Sequence, residues 1–168
     1  MLPTPLKLFL IMHLSNYERM IQLAEEIFDV KSDPGQLDVD ESVIQRLLSI
    51  HPATLSEYDE GNGPVIWILL IPTTKELMHP FLENKISEKE LYERTPTHGN
   101  YEAIYLCSAL VLEEYRGKGL AKNMTIKAIQ EIQKDHNIQA LFVWPFSDAG
   151  LALAKHVASV SGLPLNIK

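Results

Sequence analysis

The stretch Val111-Leu-Glu-Glu-Tyr-Arg116-Gly-Lys-Gly-Leu-Ala121-Lys-Asn-Met124 decides how the rest of the chain is read. It starts as the end of an apolar run and finishes as the first turn of a helical pattern. Within it lie two glycines, Gly117 and Gly119, and three cations, Arg116, Lys118 and Lys122. Glycine lets the backbone turn tightly and approach a ligand with no Cβ in the way. The first amides of a helix lack intrahelical partners and sit at the positive end of its dipole. Phosphate is favoured at such a place. The stretch therefore reads as a strand–loop–helix cradle for a pyrophosphate. The competing reading is an ordinary turn with solvated charges.

Just upstream, residues 102–111 are the most apolar part of the chain. A nearly continuous apolar run predicts a strand covered on both faces. Downstream, Leu120, Met124, Ile126, Ala128, Ile129 and Ile132 recur at helical spacing and predict a helix to about His136. Residues 139–144 read as another buried strand, stopped by Pro145. Ser147 or Asp148 caps a last helix over 149–160, rich in small residues that allow close packing. Gly162 and Pro164 end it, so residues 163–168 suffice for one short strand.

Towards the N-terminus, residues 6–12 read as a first strand. Ser15 or Asn16 caps a helix carrying Tyr17, Met20, Ile21, Leu23, Ala24 and Ile27 at helical spacing, broken by residues 31–35. Asp38 or Asp40 starts a second helix with Val43, Leu47, Leu48 and Ile50, and His51-Pro52 ends it. Residues 53–59 and 64–71 read as a hairpin around Gly61-Asn-Gly63, with Trp67 in the core and Pro72 ending the second strand. Residues 72–100 behave as an insert. Thr73 or Thr74 opens a short helix to Leu82, and Ser87-Glu-Lys-Glu90 is a capping box opening another to Arg94. His79, His98 and the acids there read as a solvated face, or as a lid over an active site. The order is β-α-α-β-β-(helical insert)-β-α-β-α, which predicts an α/β domain with helices on both faces of a mixed sheet.

Length and composition bound the function. A chain of 168 residues, 46% hydrophobic and 22% charged, suits one soluble globular domain spanning 1–168. A net charge of −7 argues against nucleic acid and favours a cationic or neutral partner. The single cysteine, Cys107, excludes a disulfide framework within one chain and fits a reducing, cytoplasmic setting. The apolar run at 8–14 is too short to span a membrane. The six histidines have no close ligand spacing, so no metal is expected.

The loop and the order of elements together resemble the GNAT superfamily of acyl-CoA N-acyltransferases. The family pattern Gln/Arg-x-x-Gly-x-Gly/Ala is met by Arg116, Gly119 and Ala121, between the fourth expected strand and the third main helix. The likeness is best over 101–162 and generic over 1–71. It implies acetyl-CoA as cosubstrate. The backbone of Arg116, Gly117, Lys118, Gly119, Leu120 and Ala121 would hold the pyrophosphate, with the Arg116 and Lys118 side chains near the phosphates. Val111 and Leu112 lie where the family's fourth strand pairs with pantetheine, and the amide near Val111 would polarise the thioester carbonyl. The fourth and fifth strands are expected to splay, with residues 144–147 lining the other side of the gap.

The resemblance also implies direct transfer to an amine of a small molecule or peptide. The amine must be neutral to attack, so a base must take its proton. Glu102 and Tyr105 are the candidates, on opposite faces of a regular strand unless a bulge intervenes. The family's usual acid, a tyrosine on the helix after the fifth strand, is replaced by Ala154. Ser147 stands where the accompanying asparagine would be, and Ser147, His156 or water is expected to substitute. The family usually ends with two more strands. Here the insert or a second subunit is expected to complete the site, and the open sheet edge predicts a homodimer. The alternative is a non-catalytic acetyl-CoA-binding module.

Overall fold

The computed structural model describes residues 14–28 and 33–168. The strand expected over residues 6–12 lies outside them. Helix α1 (Asn16–Phe28) starts from a reciprocal cap: Glu18 N donates to Ser15 Oγ, and Ser15 N donates to Glu18 Oε2. Helix α2 (Glu41–Ile50) starts from Asp40, whose side chain accepts from Val43 N, and stops at His51 ahead of Pro52. A 3-10 turn, Pro52–Thr54, takes the place of the first residues of the expected strand.

The sheet has five strands in sequence order among the described residues: β1 (Leu55–Asp59), β2 (Pro64–Thr73), β3 (Ala103–Val111), β4 (Ala140–Val143) and β5 (Leu165–Ile167). The first three run antiparallel, and β3, β4 and β5 run parallel. Helices α5 (Leu120–Asp135) and α6 (Asp148–Ser161) make the two crossovers. The mixed sheet matches the expectation, and the last few residues supply one short strand.

Pro72 does not end β2, contrary to the sequence reading; the strand runs on to Thr73. The reason lies in which way each residue faces. The Thr73 carbonyl accepts from Glu102 N, so Thr73 faces β3 and Pro72 faces the opposite side. On that side β1 reaches only as far as the pair Leu55–Leu69. The missing N–H therefore breaks no ladder bond.

One irregularity in the ladder lies beside the candidate site. Leu69 pairs with Ser108 and Leu70 with Leu106, so Cys107 is left over as a β-bulge. On the other side of β3, pairing with β4 stops at Leu106–Val143. Beyond that rung the two parallel strands part.

The sheet is covered on both faces. Tyr105 and Phe142 pair across β3 and β4 and share one face. Phe81 of helix α3 (Lys75–Leu82) packs edge-on against both rings, with centroids 5.0 and 5.7 Å away. Leu106 and Val143 point the other way, towards α5 and α6.

The insert forms α3 and helix α4 (Glu88–Arg94), and the Ser87/Glu90 capping box is present. The solvated-face reading holds for most of the charges: Glu76, His79, Glu83, Lys85, Lys89, Glu93, Arg94 and His98 are exposed. Glu88 is the departure, only 5% exposed, and Met78, Phe81, Leu91 and Tyr92 are core residues. Arg46 of α2 holds the insert down. Its guanidinium donates to the carbonyls of Tyr92 and Thr95 at 2.7 and 2.5 Å and lies 4.8 Å over the Tyr92 ring. It thereby satisfies the free carbonyl end of α4. Arg46→Met keeps the stem and removes the donors, and is expected to cost about 2 kcal/mol. A urea denaturation midpoint unchanged from wild type would show that this clamp contributes nothing.

Candidate functional site

The loop that opens α5 has the backbone that its glycines require. Gly117 and Gly119 lie at φ 75° and 74°, in the left-handed region. Gly119 is the N-cap of α5, and no side chain caps that end. Among the described residues, no amide from 117 to 122 is bonded to another backbone group. The first turn of a 16-residue helix thus offers a row of free donors at its positive end. A Cβ added at Gly117 or Gly119 would meet no atom within 4 Å, so the loop borders open space.

Neighbouring contacts fix the approach to this loop. Glu113–Tyr115 form a 3-10 turn. Glu114 is held by both terminal nitrogens of Arg19 at 2.7 and 2.8 Å, and Tyr115 Oη donates to Glu60 Oε2 at 3.0 Å. Arg116 folds back, its Nε donating to the Val111 carbonyl at 3.0 Å. Lys118 Nζ lies 5.3 Å over the Tyr115 ring. Both cations are exposed at the loop surface. Leu120 and Ala121 are half-buried and lead into the helix.

From the loop the gap between β3 and β4 leads inward. Leu112 N donates to Val65 O, so Leu112 turns its amide to β2 and not to the gap. By alternation, Ala109 and Val111 turn theirs away from β2, on the side where β4 no longer pairs. A cavity of about 110 Å³ occupies this place, lined by Cys107, Ser108, Thr125, Trp144 and Ala154 among others. It suits a narrow chain better than a whole drug-sized ligand, which needs several hundred Å³. A larger recess of about 410 Å³ surrounds Lys134, Asp135 and His136 at the far end of α5, away from the loop.

The candidate catalytic residues do not converge. Glu102 lies just before β3, half-buried, its amide bonded to Thr73 O. Tyr105 is fully buried, and no bulge separates the two; the bulge comes later, at Cys107. They therefore face opposite sides of the sheet. Ser147 is exposed at the start of α6, where its Oγ accepts from Gly150 N at 3.0 Å as the N-cap. Ala154 is buried on the wall of the gap, and His156 is exposed.

Two groups that the sequence reading missed sit beside this place. The first is Glu88. Its Oε1 accepts from Leu37 N at 2.7 Å, and its Oε2 accepts from Tyr105 Oη at 2.5 Å. Cys107 Sγ lies 3.9 Å from the same Oε2. Burial lifts the Glu88 carboxyl above its ordinary range, although the hydrogen bonds from Tyr105 and Leu37 pull the other way. Burial also pushes the Tyr105 phenol and the Cys107 thiol well up, so both stay protonated. The second is Lys168, whose Nζ lies 4.1 Å over the Phe81 ring and 4.6 Å over the Trp144 ring. The capping box placed Glu88 at the first helical position, where acids usually face water. No local pattern marks Lys168.

Among the described residues no cluster of His, Cys, Asp or Glu is placed to hold a metal ion, and no helix is long and apolar enough to cross a membrane. No protein-family model matches the chain, and no curated protein resembles it in sequence.

Proposed function

We propose that the chain is a GNAT-like acyltransferase that binds an acyl-coenzyme A, with acetyl as the default acyl group, and transfers the acyl to a primary amine. The observation that carries this reading is one of placement. The free amides at 117–122 follow the end of β3, where the Ala109 and Val111 amides face the side that β4 leaves open and the Val111 carbonyl accepts from Arg116 Nε. A phosphate end and a thin amide-bearing arm need those two things in that order. In this reading the pyrophosphate rests on the loop amides from Gly117 to Ala121; the Arg116 amide, expected to join them, is taken by the Glu113 carbonyl at 3.2 Å. The pantetheine arm follows β3 past Val111, and the Val111 amide polarises the thioester carbonyl. The amine loses its proton to a base, attacks that carbonyl, and the thiolate leaves and is reprotonated.

The second reading, a binding module without chemistry, is favoured by one specific observation: the wall position expected to carry a tyrosine acid is the methyl of Ala154. One experiment separates the two. Acetyl-CoA is titrated into the protein by calorimetry, and CoA release is then followed with a panel of primary amines. The enzyme reading expects both binding and amine-dependent release. Binding with no release across the panel leaves the module, and absence of binding defeats both.

A further inference from the structure

The insert-side face of the sheet holds a cation between aromatic rings at the end of the β3–β4 gap. Lys168 Nζ stands over the faces of Phe81 and Trp144. Those two rings lie edge to face, 6.5 Å between centroids. Quaternary and primary ammonium groups are recognised by this kind of arrangement, in which ring faces supply negative potential. Acids also bear on it: burial lowers the Lys168 ammonium below its ordinary range, and the Glu88 and Asp33 carboxyls pull it back up. No ion pair within 4 Å among the described residues includes Lys168. It is held by rings and by field, and so by contacts that a free ammonium of the same kind can replace.

The cage also adjoins the gap. Trp144 follows the last paired residue of β4, forms one wall of the cage and lines the cavity between the strands. Tyr105 and Phe142 continue the aromatic surface beneath, and the Tyr105 hydroxyl donates a hydrogen bond to Glu88. An ammonium in the cage is thus a neighbour of whatever fills the gap.

We infer that this aromatic and acidic cage is the binding site for a primary alkylammonium, and that Lys168 occupies it as an internal stand-in for that ligand. The inference rests on the acyltransfer reading for its purpose, since it names the acceptor class and its place, but the binding claim stands apart. A tethered occupant competes with free ligand at an effective concentration on the order of millimolar. Removing it should open the cage. Lys168→Ala retains the backbone bond from residue 168 to Val143 O and withdraws the side chain from the rings.

The test uses n-butylammonium chloride as probe, with 1-pentanol as its uncharged counterpart, followed by NMR shifts of the Trp144 indole without any coenzyme. Lys168→Ala is expected to bind butylammonium at least tenfold more tightly than wild type, and at least tenfold more tightly than it binds pentanol. Adding Glu88→Gln to Lys168→Ala is expected to weaken butylammonium binding about tenfold and to leave pentanol unchanged. Equal butylammonium binding by wild type and Lys168→Ala, or equal binding of the two probes, overturns the cage. Acetyl-CoA titrated separately tells the two readings apart: butylammonium binding without acetyl-CoA binding preserves the cage and removes the acyltransfer reading.

Discussion

Gly119→Glu is expected to weaken acetyl-CoA binding on the order of a hundredfold, about 2.7 kcal/mol, while the protein stays folded. Two effects act together. The native φ of 74° suits glycine, and any other residue there is strained by about 1–2 kcal/mol or shifts the loop. The new carboxylate would also stand against the pyrophosphate, where like charges repel. Folding is not threatened by a clash, because a Cβ at this position meets nothing within 4 Å. The charge part has its own signature: it shrinks as salt is raised, and the strain part does not. Calorimetric titration at low and high salt, with a melting curve to confirm the fold, checks both. A folded variant with wild-type affinity would end the assignment of this loop.

Glu88→Ala is expected to destabilise the fold by about 3–5 kcal/mol. It strands two buried donors, Leu37 N and Tyr105 Oη, and leaves a void beneath α4. Glu88→Gln keeps the shape and acceptor, and should cost far less. The pH dependence gives a sharper test. Burial raises the Glu88 carboxyl in the folded state above its unfolded value of about 4.3. Below the unfolded value both states are protonated and the contribution is complete. As pH rises towards and through the raised folded value, the unfolded state gives up its proton first, and the contribution is lost. Lys168 opposes this trend and Asp33 adds to it, and burial outweighs both. Wild type should therefore lose stability relative to Glu88→Gln as pH climbs from 4 to 8. A constant difference across that range would mean that Glu88 does not titrate in the fold.

The parts of the fold legible in the sequence are those written in local chemistry. The Ser15, Asp40, Ser87 and Ser147 caps, the Gly117/Gly119 loop and the apolar runs of β2 and β3 each carry their cause within a few residues. What the sequence did not reveal depends on partners far along the chain. Pro72 looked like a terminator because nothing local tells which way it faces or how short β1 is. Glu88 looked solvated because its acceptor role depends on Leu37, 51 residues away, and on a strand tyrosine. The Cys107 bulge is a mismatch between two strands and belongs to neither alone. At the candidate site the loop was readable and the catalytic set was not. Glu102, Tyr105 and Ser147 were chosen by position along the chain, and the sheet sends them to three different surroundings.

The parting of β3 from β4 has a consequence for how this site can evolve. Ala109 and Val111 present main chain, not side chain, to the gap. Every amino acid but proline supplies the same N–H and C=O, so that edge is a grip that substitution cannot readily erase. Thr125, Trp144 and Ala154 form walls made of side chains and are free to vary. Attachment and selectivity are thereby written in separate alphabets. If the cleft takes the proposed ligand, drift can reshape what it admits while the main-chain edge that would hold it stays constant.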